Sequence, residues 1–343
     1  MKQSIYDLSI QELSEWLGHQ GQKPFRAKQV FEWVYHKSAA GFGAMTNLPG
    51  ELRTILDGCF SIGPLQPLQV SEGLDATKLL LTMPTGGQVE CVRIKMGNTY
   101  TACLSTQVGC SVQCIFCATG QMECERSLSA GEIIRQLITV RARGGQVSNV
   151  VFMGMGEPFM NYANLVGAIR RMVDKQAFAM SPSRITVSTA GIVPMIRKYA
   201  REGIPTELTI SLNAPNDELR KRLMPGVAAY LVDEIAQAAK EYSQATGGQP
   251  VTFAYVLIDG VNDSLDHARE VAGLLRRQPH HLNVIPLNPV SHANLKRPSK
   301  QRTQAFVHHC RKFGLNVSLR KSKGTQIDAA CGQLRTRATK KAG

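Results

Sequence analysis

From residue 99 onward the sequence repeats one pattern: a short apolar run, a turn rich in Gly, Ser, Asn or Pro, then an amphipathic helical period. Strands are predicted over 100–104, 149–153, 184–188, 206–212, 252–257, 282–286 and 315–319. Helices are predicted over 130–142, 161–174, 192–202, 217–222, 231–245, 265–277 and 300–313. Ser129-Ala-Gly-Glu132 ahead of Ile133 and Ile134 is a capping box that fixes one helix start. Strands alternating with helices build βαβ units on a parallel sheet, so the fold class is α/β. This many units favour a partial or full (β/α) barrel over an open doubly wound sheet. Active-site residues of a barrel sit at the carboxyl ends of its strands.

Two segments precede that repeat. Residues 1–60 read as a small helical accessory domain. Ser9-Ile-Gln-Glu12 is a capping box before Leu13, Trp16 and Leu17, and Pro24 stands in a first-turn position before Phe25, Ala27, Val30, Phe31, Val34 and Tyr35. Its Arg26, Lys28, His36 and Lys37 suit either RNA contact or a solvated helix face. Residues 61–98 read as a β-hairpin extension, with strands at 78–82 and 89–95 about Pro84-Thr-Gly-Gly. Glu90 lies inside the second strand, either on its solvent face, the default, or held inward as a base. The barrel then spans 99–290, and 291–343 is a basic C-terminal segment.

Charge is distributed unevenly. Of 40 basic and 26 acidic residues, thirteen basic and one acidic (Asp328) fall between Lys296 and Gly343, leaving 27 against 25 elsewhere. The basic positions interleave with Phe306, Val307, Phe313, Leu315, Val317 and Leu319, which argues for a folded basic face rather than a solvated tail. A polyanion, most naturally RNA, is the expected partner, although charge alone does not separate RNA from DNA. No apolar run approaches the ~18 residues of a membrane span, and the N-terminus lacks the apolar stretch of a signal peptide. Nine cysteines without an export signal point to reduced thiols in a cytoplasm.

The candidate chemistry falls at the predicted strand ends. Cys110, Cys114 and Cys117 follow the first strand at C-x3-C-x2-C spacing, with Cys103 seven residues upstream. Three thiolates on one loop suit a cubic iron–sulfur cluster, and three ligands on four irons leave one iron open to a small molecule. A zinc knuckle would require a second C-x2-C or Cys/His pair, and none is present. Gly154-Met-Gly156-Glu157-Pro158, Ser188-Thr-Ala-Gly191, Ser211-Leu212-Asn213 and Pro286-Leu-Asn288-Pro289 follow later strands. Together they offer glycines for close backbone approach, a carboxylate for an ammonium, and hydroxyls and amides for a carboxylate and ribose. S-adenosylmethionine requires those parts. Neither a Walker-A nor a G-x-G-x-x-G loop occurs, which disfavours an NTP or NAD site. Cys331, among small residues in Ile327-Asp-Ala-Ala-Cys331-Gly-Gln-Leu, suits an exposed, mobile loop with a reactive thiol. Cys59, Cys91 and Cys310 lie in apolar patterns and read as core; Cys124, in a charged segment, reads as solvent-facing.

The C-x3-C-x2-C loop followed by Ala-Thr-Gly resembles the radical-SAM signature. The chain as a whole resembles the RlmN/Cfr family of radical-SAM RNA adenosine methyltransferases, from Phe25-Arg-Ala-Lys-Gln and Met45-Thr-Asn-Leu, through Phe152-Met-Gly-Met-Gly-Glu-Pro, to Ala214-Pro-Asn-Asp and Asp328-Ala-Ala-Cys-Gly-Gln-Leu. The resemblance implies a [4Fe-4S] cluster on Cys110, Cys114 and Cys117, and S-adenosylmethionine as both methyl donor and radical source. It implies S-adenosylmethionine contacts from Gly156, Glu157, Ser188, Ser211, Leu212, Asn213 and Asn288. It further implies that Cys331 carries a methyl group to adenine, that Cys103 releases the product by forming a disulfide with Cys331, and that Glu90 accepts a proton. The expected substrate is an adenosine of 23S rRNA, with tRNA as a second substrate in some members; a flavodoxin or ferredoxin would supply electrons to a monomeric enzyme. Gln107-Val-Gly-Cys and Met153-Gly-Met-Gly-Glu-Pro-Phe resemble RlmN, which methylates carbon 2, more than Cfr, which methylates carbon 8. The chain departs from the family pattern at Asn213 (usually His), at Met224-Pro-Gly-Val (usually Met-Pro-Ile-Asn) and at Gln326 (usually Asp). The rival readings are an iron–sulfur RNA-binding regulator without turnover and a radical-SAM enzyme acting on a small molecule or peptide.

Overall fold

Strands rich in Val, Ile, Leu and Phe bury both faces, as a parallel sheet covered by helices requires. The computed structural model describes residues 2–290 and 294–335. It begins with β1 (Gln3–Ser4), α1 (Ile10–His19), α2 (Phe25–Phe31), α3 (Gly50–Cys59) and β2 (Phe60–Ser61), with β1 and β2 paired in parallel. The Ser9–Glu12 capping box forms, with both reciprocal hydrogen bonds. Phe25 departs from the apolar stripe expected of α2: it is 49% exposed, with the Arg26 guanidinium over its ring. Cys59 also departs from expectation and is exposed. Leu52 and Leu56 are the buried stripe of α3, and the helix ends at Cys59, so Phe60 turns inward in its place.

Next come β3 (Pro67–Glu72), β4 (Ala76–Thr82), β5 (Gln88–Met96), β6 (Thr99–Cys103), β7 (Gln107–Val108) and β8 (Arg126–Ser127). The repeat follows: α4 (Ala130–Ala142), β9 (Val147–Phe152), α5 (Tyr162–Val173), β10 (Ile185–Thr189), α6 (Val193–Ala200), β11 (Glu207–Ser211), α7 (Asp217–Leu223), α8 (Val232–Ala245), β12 (Val251–Leu257), α9 (Leu265–Leu275), β13 (His280–Pro286), α10 (Lys300–Lys312) and β14 (Val317–Leu319). One ten-stranded sheet runs β14-β13-β12-β11-β10-β9-β6-β5-β4-β3. Within this sheet β6 and β9 to β14 pair in parallel, β3, β4 and β5 add to β6 antiparallel, and β7 and β8 form a separate antiparallel pair. The sheet has two ends, β3 and β14, so the barrel is partial.

The extension is three-stranded rather than a simple hairpin. β3 escapes the sequence pattern because it is an edge strand that opens on Pro67, keeps most of its residues exposed and carries a register shift after Pro67. The barrel's first helix is locked to the β4–β5 turn by Glu132. Its carboxylate accepts from Arg126 at 2.8 and 2.9 Å, from Ser129 N–H at 3.0 Å and from the Thr85 hydroxyl at 2.8 Å. Burial pushes this carboxyl up, but the hydrogen bonds and charge of Arg126, with Ser129 and Thr85, outweigh burial and hold it below its ordinary 4.5. The ionised form is therefore the one that folding favours. Its contribution is complete above the unfolded-state value and is lost as pH falls through the lower folded-state value. Glu132→Gln is expected to lower stability by about 3 kcal/mol in denaturant unfolding at neutral pH, with the difference from the parent shrinking below pH 4.5. An unchanged midpoint at neutral pH would remove Glu132 from this role.

Among the described residues no helix is long and apolar enough to cross a membrane. Along the C-terminal segment Phe306, Val307, Leu315 and Val317 are buried while Lys296, Arg297, Lys300, Arg302, Arg311, Lys312 and Lys321 are exposed. The basic positions thus lie on a folded surface, with Leu319 left 42% exposed. Arg337, Lys340 and Lys341 lie outside the described residues, as do residues 291–293.

Candidate active site

The carboxyl ends of the parallel strands open onto one cleft. Cys110, Cys114 and Cys117 line it, together with Gly156, Glu157, Ser188, Ser211, Asn213, Asn288 and Cys331. Leu212 is the one expected S-adenosylmethionine contact outside that lining. Its side chain is fully buried and its carbonyl accepts from Arg220 at 2.8 Å.

The cysteine loop is shaped by close backbone contacts. Gly109, at φ +83°, lies where a Cβ would stand 1.9 Å from the Glu123 carbonyl, so no other residue fits ahead of Cys110. The Met224-Pro-Gly-Val departure has a structural role. Gly226 N–H donates to the Val112 carbonyl at 3.0 Å, and a Cβ on Gly226 would meet the Ser111 carbonyl at 2.3 Å. Burial pushes the Cys110 thiol up to about 12 and raises those of Cys114 and Cys117. Thiols so placed are inert until a metal centre takes their protons. Cys110, Cys114 and Cys117 would each bind a different iron of a cubic cluster, so the sulfurs need only line one cavity. Among the described residues no three His, Cys, Asp or Glu side chains are placed to hold a metal ion as a group. Asn288 adds a ligand-directed signal: its Oδ1 is buried without a partner at the cleft wall. Three soft donors and one orphaned amide oxygen fit an iron–sulfur cluster with a polar small molecule beside it.

Two of the anticipated ligand groups are engaged within the protein. Glu157 was expected to meet an ammonium. Its buried carboxylate lines the cleft and accepts from Ala190 N–H at 2.6 Å, the Thr189 hydroxyl at 2.7 Å and Phe159 N–H at 3.0 Å. Burial still raises its pKa. Glu157 thereby ties β9 to β10 and shapes the cleft floor. The neighbouring glycines, which line the cleft, also pack closely on the chain: a Cβ on Gly156 would lie 2.6 Å from Gln107, and one on Gly154 would lie 2.6 Å from the Ser105 hydroxyl. Asn213 takes a left-handed backbone at φ +58°, which Asn tolerates. Its Oδ1 accepts from Val256 N–H at 2.9 Å.

Cys331 is half-buried, and its loop is docked rather than free. Ala118 N–H donates to the Gly332 carbonyl at 2.7 Å, the Thr119 hydroxyl to the Leu334 carbonyl at 2.6 Å, and Asn288 Nδ2 to the Cys331 carbonyl at 3.0 Å. The loop is thus bonded directly to the cysteine loop. Cys331 also lines an adjoining cleft with Cys103, which is buried at the end of β6. Burial, then the neighbouring Cys331, pushes the Cys103 thiol up to about 12, and Arg320 opposes them. All nine cysteines are free thiols. Cys124 is half-buried behind Gly109 rather than solvent-facing, and Cys91 and Cys310 are core as expected. Glu90 turns inward, 5% exposed. Leu80, its partner on β4, shares its face, and the C-terminal loop covers that face.

Two residues at the site carried no sequence signal. Arg220 sits in Arg220-Lys-Arg, which reads as a solvated helix face, yet it is 1% exposed. Its guanidinium donates to the carbonyls of Ser211 at 3.0 Å, Leu212 at 2.8 Å and Ala190. Arg320, at the end of β14, lines both clefts.

A partial barrel with three cysteines at its mouth is the architecture of a radical-SAM enzyme, and residues 104–272 match the family model described as Radical SAM superfamily. Residues 3–62 match the model of the Ribosomal RNA large subunit methyltransferase N-terminal domain. The chain is 41% identical to a probable dual-specificity RNA methyltransferase RlmN of Enterococcus faecalis, over 99% of this chain and 98% of that one. It is 41% identical to a protein of the same description from Rhodopirellula baltica, over 97% and 91%. A crystal structure of a radical SAM methyltransferase from Sphaerobacter thermophilus superposes with a TM-score of 0.93 at 42% identity, over 97% of this chain and 99% of that one. The chain belongs to the RlmN family of radical-SAM RNA methyltransferases.

Proposed function

We propose that this protein methylates carbon 2 of an adenosine in 23S rRNA and in tRNA, with Cys331 as the methyl carrier. The observation that carries the reading is the position of Cys331 on the wall shared by two clefts. One cleft holds Cys110, Cys114 and Cys117, and the other holds Cys103. The relatives' description as dual-specificity RNA methyltransferases supports two RNA substrates.

In this reading Cys110, Cys114 and Cys117 hold a [4Fe-4S] cluster, and Gly156, Glu157, Ser188, Ser211, Leu212, Asn213 and Asn288 orient S-adenosylmethionine beside it. The bound pair supplies one-electron chemistry able to take hydrogen from a methyl group. Cys331 receives a methyl group on sulfur and presents it to the adenine ring. Glu90 accepts the proton that the ring carbon loses. Cys103 attacks the Cys331 sulfur, the electron pair of the breaking carbon–sulfur bond goes to the product carbon, which takes up a proton to complete the methyl group, and a disulfide remains, which two electrons from a reductant reopen. The adenosine is extruded from its helix, because a stacked base does not reach a barrel mouth. Residues 1–60 and 291–343 would contact the RNA, 61–98 would buttress Cys331, and 99–290 would house the cluster. The protein would act as a cytoplasmic monomer fed by a flavodoxin or ferredoxin.

Nucleoside mass spectrometry of 23S rRNA and tRNA from cells with and without the gene tests this. Loss of 2-methyladenosine from both pools is expected. Loss of 8-methyladenosine instead would move the reaction to carbon 8. No change in either nucleoside would overturn RNA methylation as the function.

A further inference from the structure

Both ends of the segment that carries Cys331 are tied to the three-stranded extension through one ion pair. Lys78 stands two residues from Leu80, the cross-strand partner of Glu90, so Lys78 and Glu90 are diagonal neighbours on one face of the sheet. Lys78 Nζ lies 3.0 Å from Glu90 Oε1, with the side chains 14% and 7% exposed. The same ammonium donates to the Asp328 carbonyl at 3.2 Å, ahead of Cys331. The other carboxylate oxygen, Oε2, accepts from Arg335 N–H at 2.9 Å, beyond Cys331. From below, the Ser105 hydroxyl donates to the Glu90 carbonyl at 2.6 Å and fixes that strand position. The charged groups facing the carboxylate are therefore Lys78 on β4 and Asp328 on the loop, whose carboxylate repels it.

We propose that Lys78 is a positioning residue that docks the Cys331 loop, holding the Glu90 carboxylate and the Asp328 carbonyl together so that Cys331 stays on the wall between the two clefts. The ammonium bridges strand and loop directly, and the carboxylate it fixes supplies the second tie. Removing the charge on either partner weakens both ties at once. In the reaction proposed above, a proton arriving on Glu90 would neutralise the anion of the pair and loosen the loop as Cys103 approaches Cys331. That consequence rests on the proposed function; the docking does not.

The test is iodoacetamide alkylation of the full-length protein, with rates resolved by peptide mass spectrometry for Cys331, exposed Cys59 and buried Cys310. Lys78→Met is expected to raise the Cys331 rate on the order of tenfold, with Cys59 unchanged and Cys310 still protected. Lys78→Arg, which keeps the charge, should restore the parent rate. Glu90→Gln should raise the Cys331 rate comparably, and the double variant should react no faster than the faster single, because both substitutions break one unit. A Cys331 rate within about twofold of the parent in Lys78→Met, with Cys310 protected, overturns the proposal, as does an additive double variant. Should Lys78→Met expose Cys310, Glu90→Gln carries the test on the same criteria. Alkylation needs no methyl transfer, so a failed docking test and a failed methylation test are distinguishable.

Discussion

Replacing Cys331 with alanine is expected to lower RNA methylation by at least about 10³-fold while leaving RNA affinity within the range of the parent protein. The loop around Cys331 is held by main-chain atoms: the carbonyls of Cys331, Gly332 and Leu334 accept from Asn288, Ala118 and Thr119. None of these bonds needs the sulfur. Ala329 and Ala330 already pack at the adjacent positions, so a third alanine keeps the local shape. The substitution removes only the thiol that faces both clefts. Methyl transfer from labelled S-adenosylmethionine and RNA binding by fluorescence anisotropy read the two effects apart. Methylation that survives in Cys331→Ala would overturn the carrier role, and intact RNA binding without turnover in the parent protein would favour a regulator.

Arg220→Met is expected to destabilise the barrel mouth by about 3 kcal/mol and to lower iron and sulfide incorporation. The guanidinium reaches from α7 to the carbonyl ends of β10 and β11, where Ala190, Ser211 and Leu212 would otherwise present buried, unpaired oxygens. Methionine fills the volume but donates nothing. The same cation lies near enough to Cys114 to lower the cost of its thiolate, against burial. Burial lowers the guanidinium's own pKa to about 10, so it stays charged at neutral pH. Denaturant unfolding reads the first effect. Iron per chain after reconstitution, compared at a temperature where both proteins are folded, reads the second. An unchanged unfolding midpoint would show that water or neighbouring donors satisfy those carbonyls.

Much of the architecture is legible in local pattern. The helix over 130–142 begins and ends where its capping box and apolar period place it, because the signals that start α4 lie within its own sequence. The βα order beyond residue 99 is legible for the same reason, and it puts the cysteine loop at a strand end before any coordinate is known. The C-x3-C-x2-C spacing points to an iron–sulfur site because ligand spacing on one loop is a local property.

Which way a side chain faces is decided by what packs against it, often from far along the chain. Glu90 looks like a solvent-facing residue in its strand. It is buried because Lys78 and the C-terminal loop, 245 residues away, close over it. Arg220 reads as one member of a charged helix turn until the ends of β10 and β11 bring three carbonyls to it. Glu157 reads as a ligand for an ammonium, and only the fold brings Ala190 N–H, Phe159 N–H and the Thr189 hydroxyl to its carboxylate. β3 has too little apolar alternation to be seen, and it exists because β4 offers a free edge. The sequence alone determined the element order and the family resemblance, and it named Cys110, Cys114 and Cys117 as the proposed cluster ligands. Only the tertiary structure decided which charges are buried and how the Cys331 loop is docked, because long-range pairing sets the desolvation and hydrogen bonding of each polar group and local sequence does not.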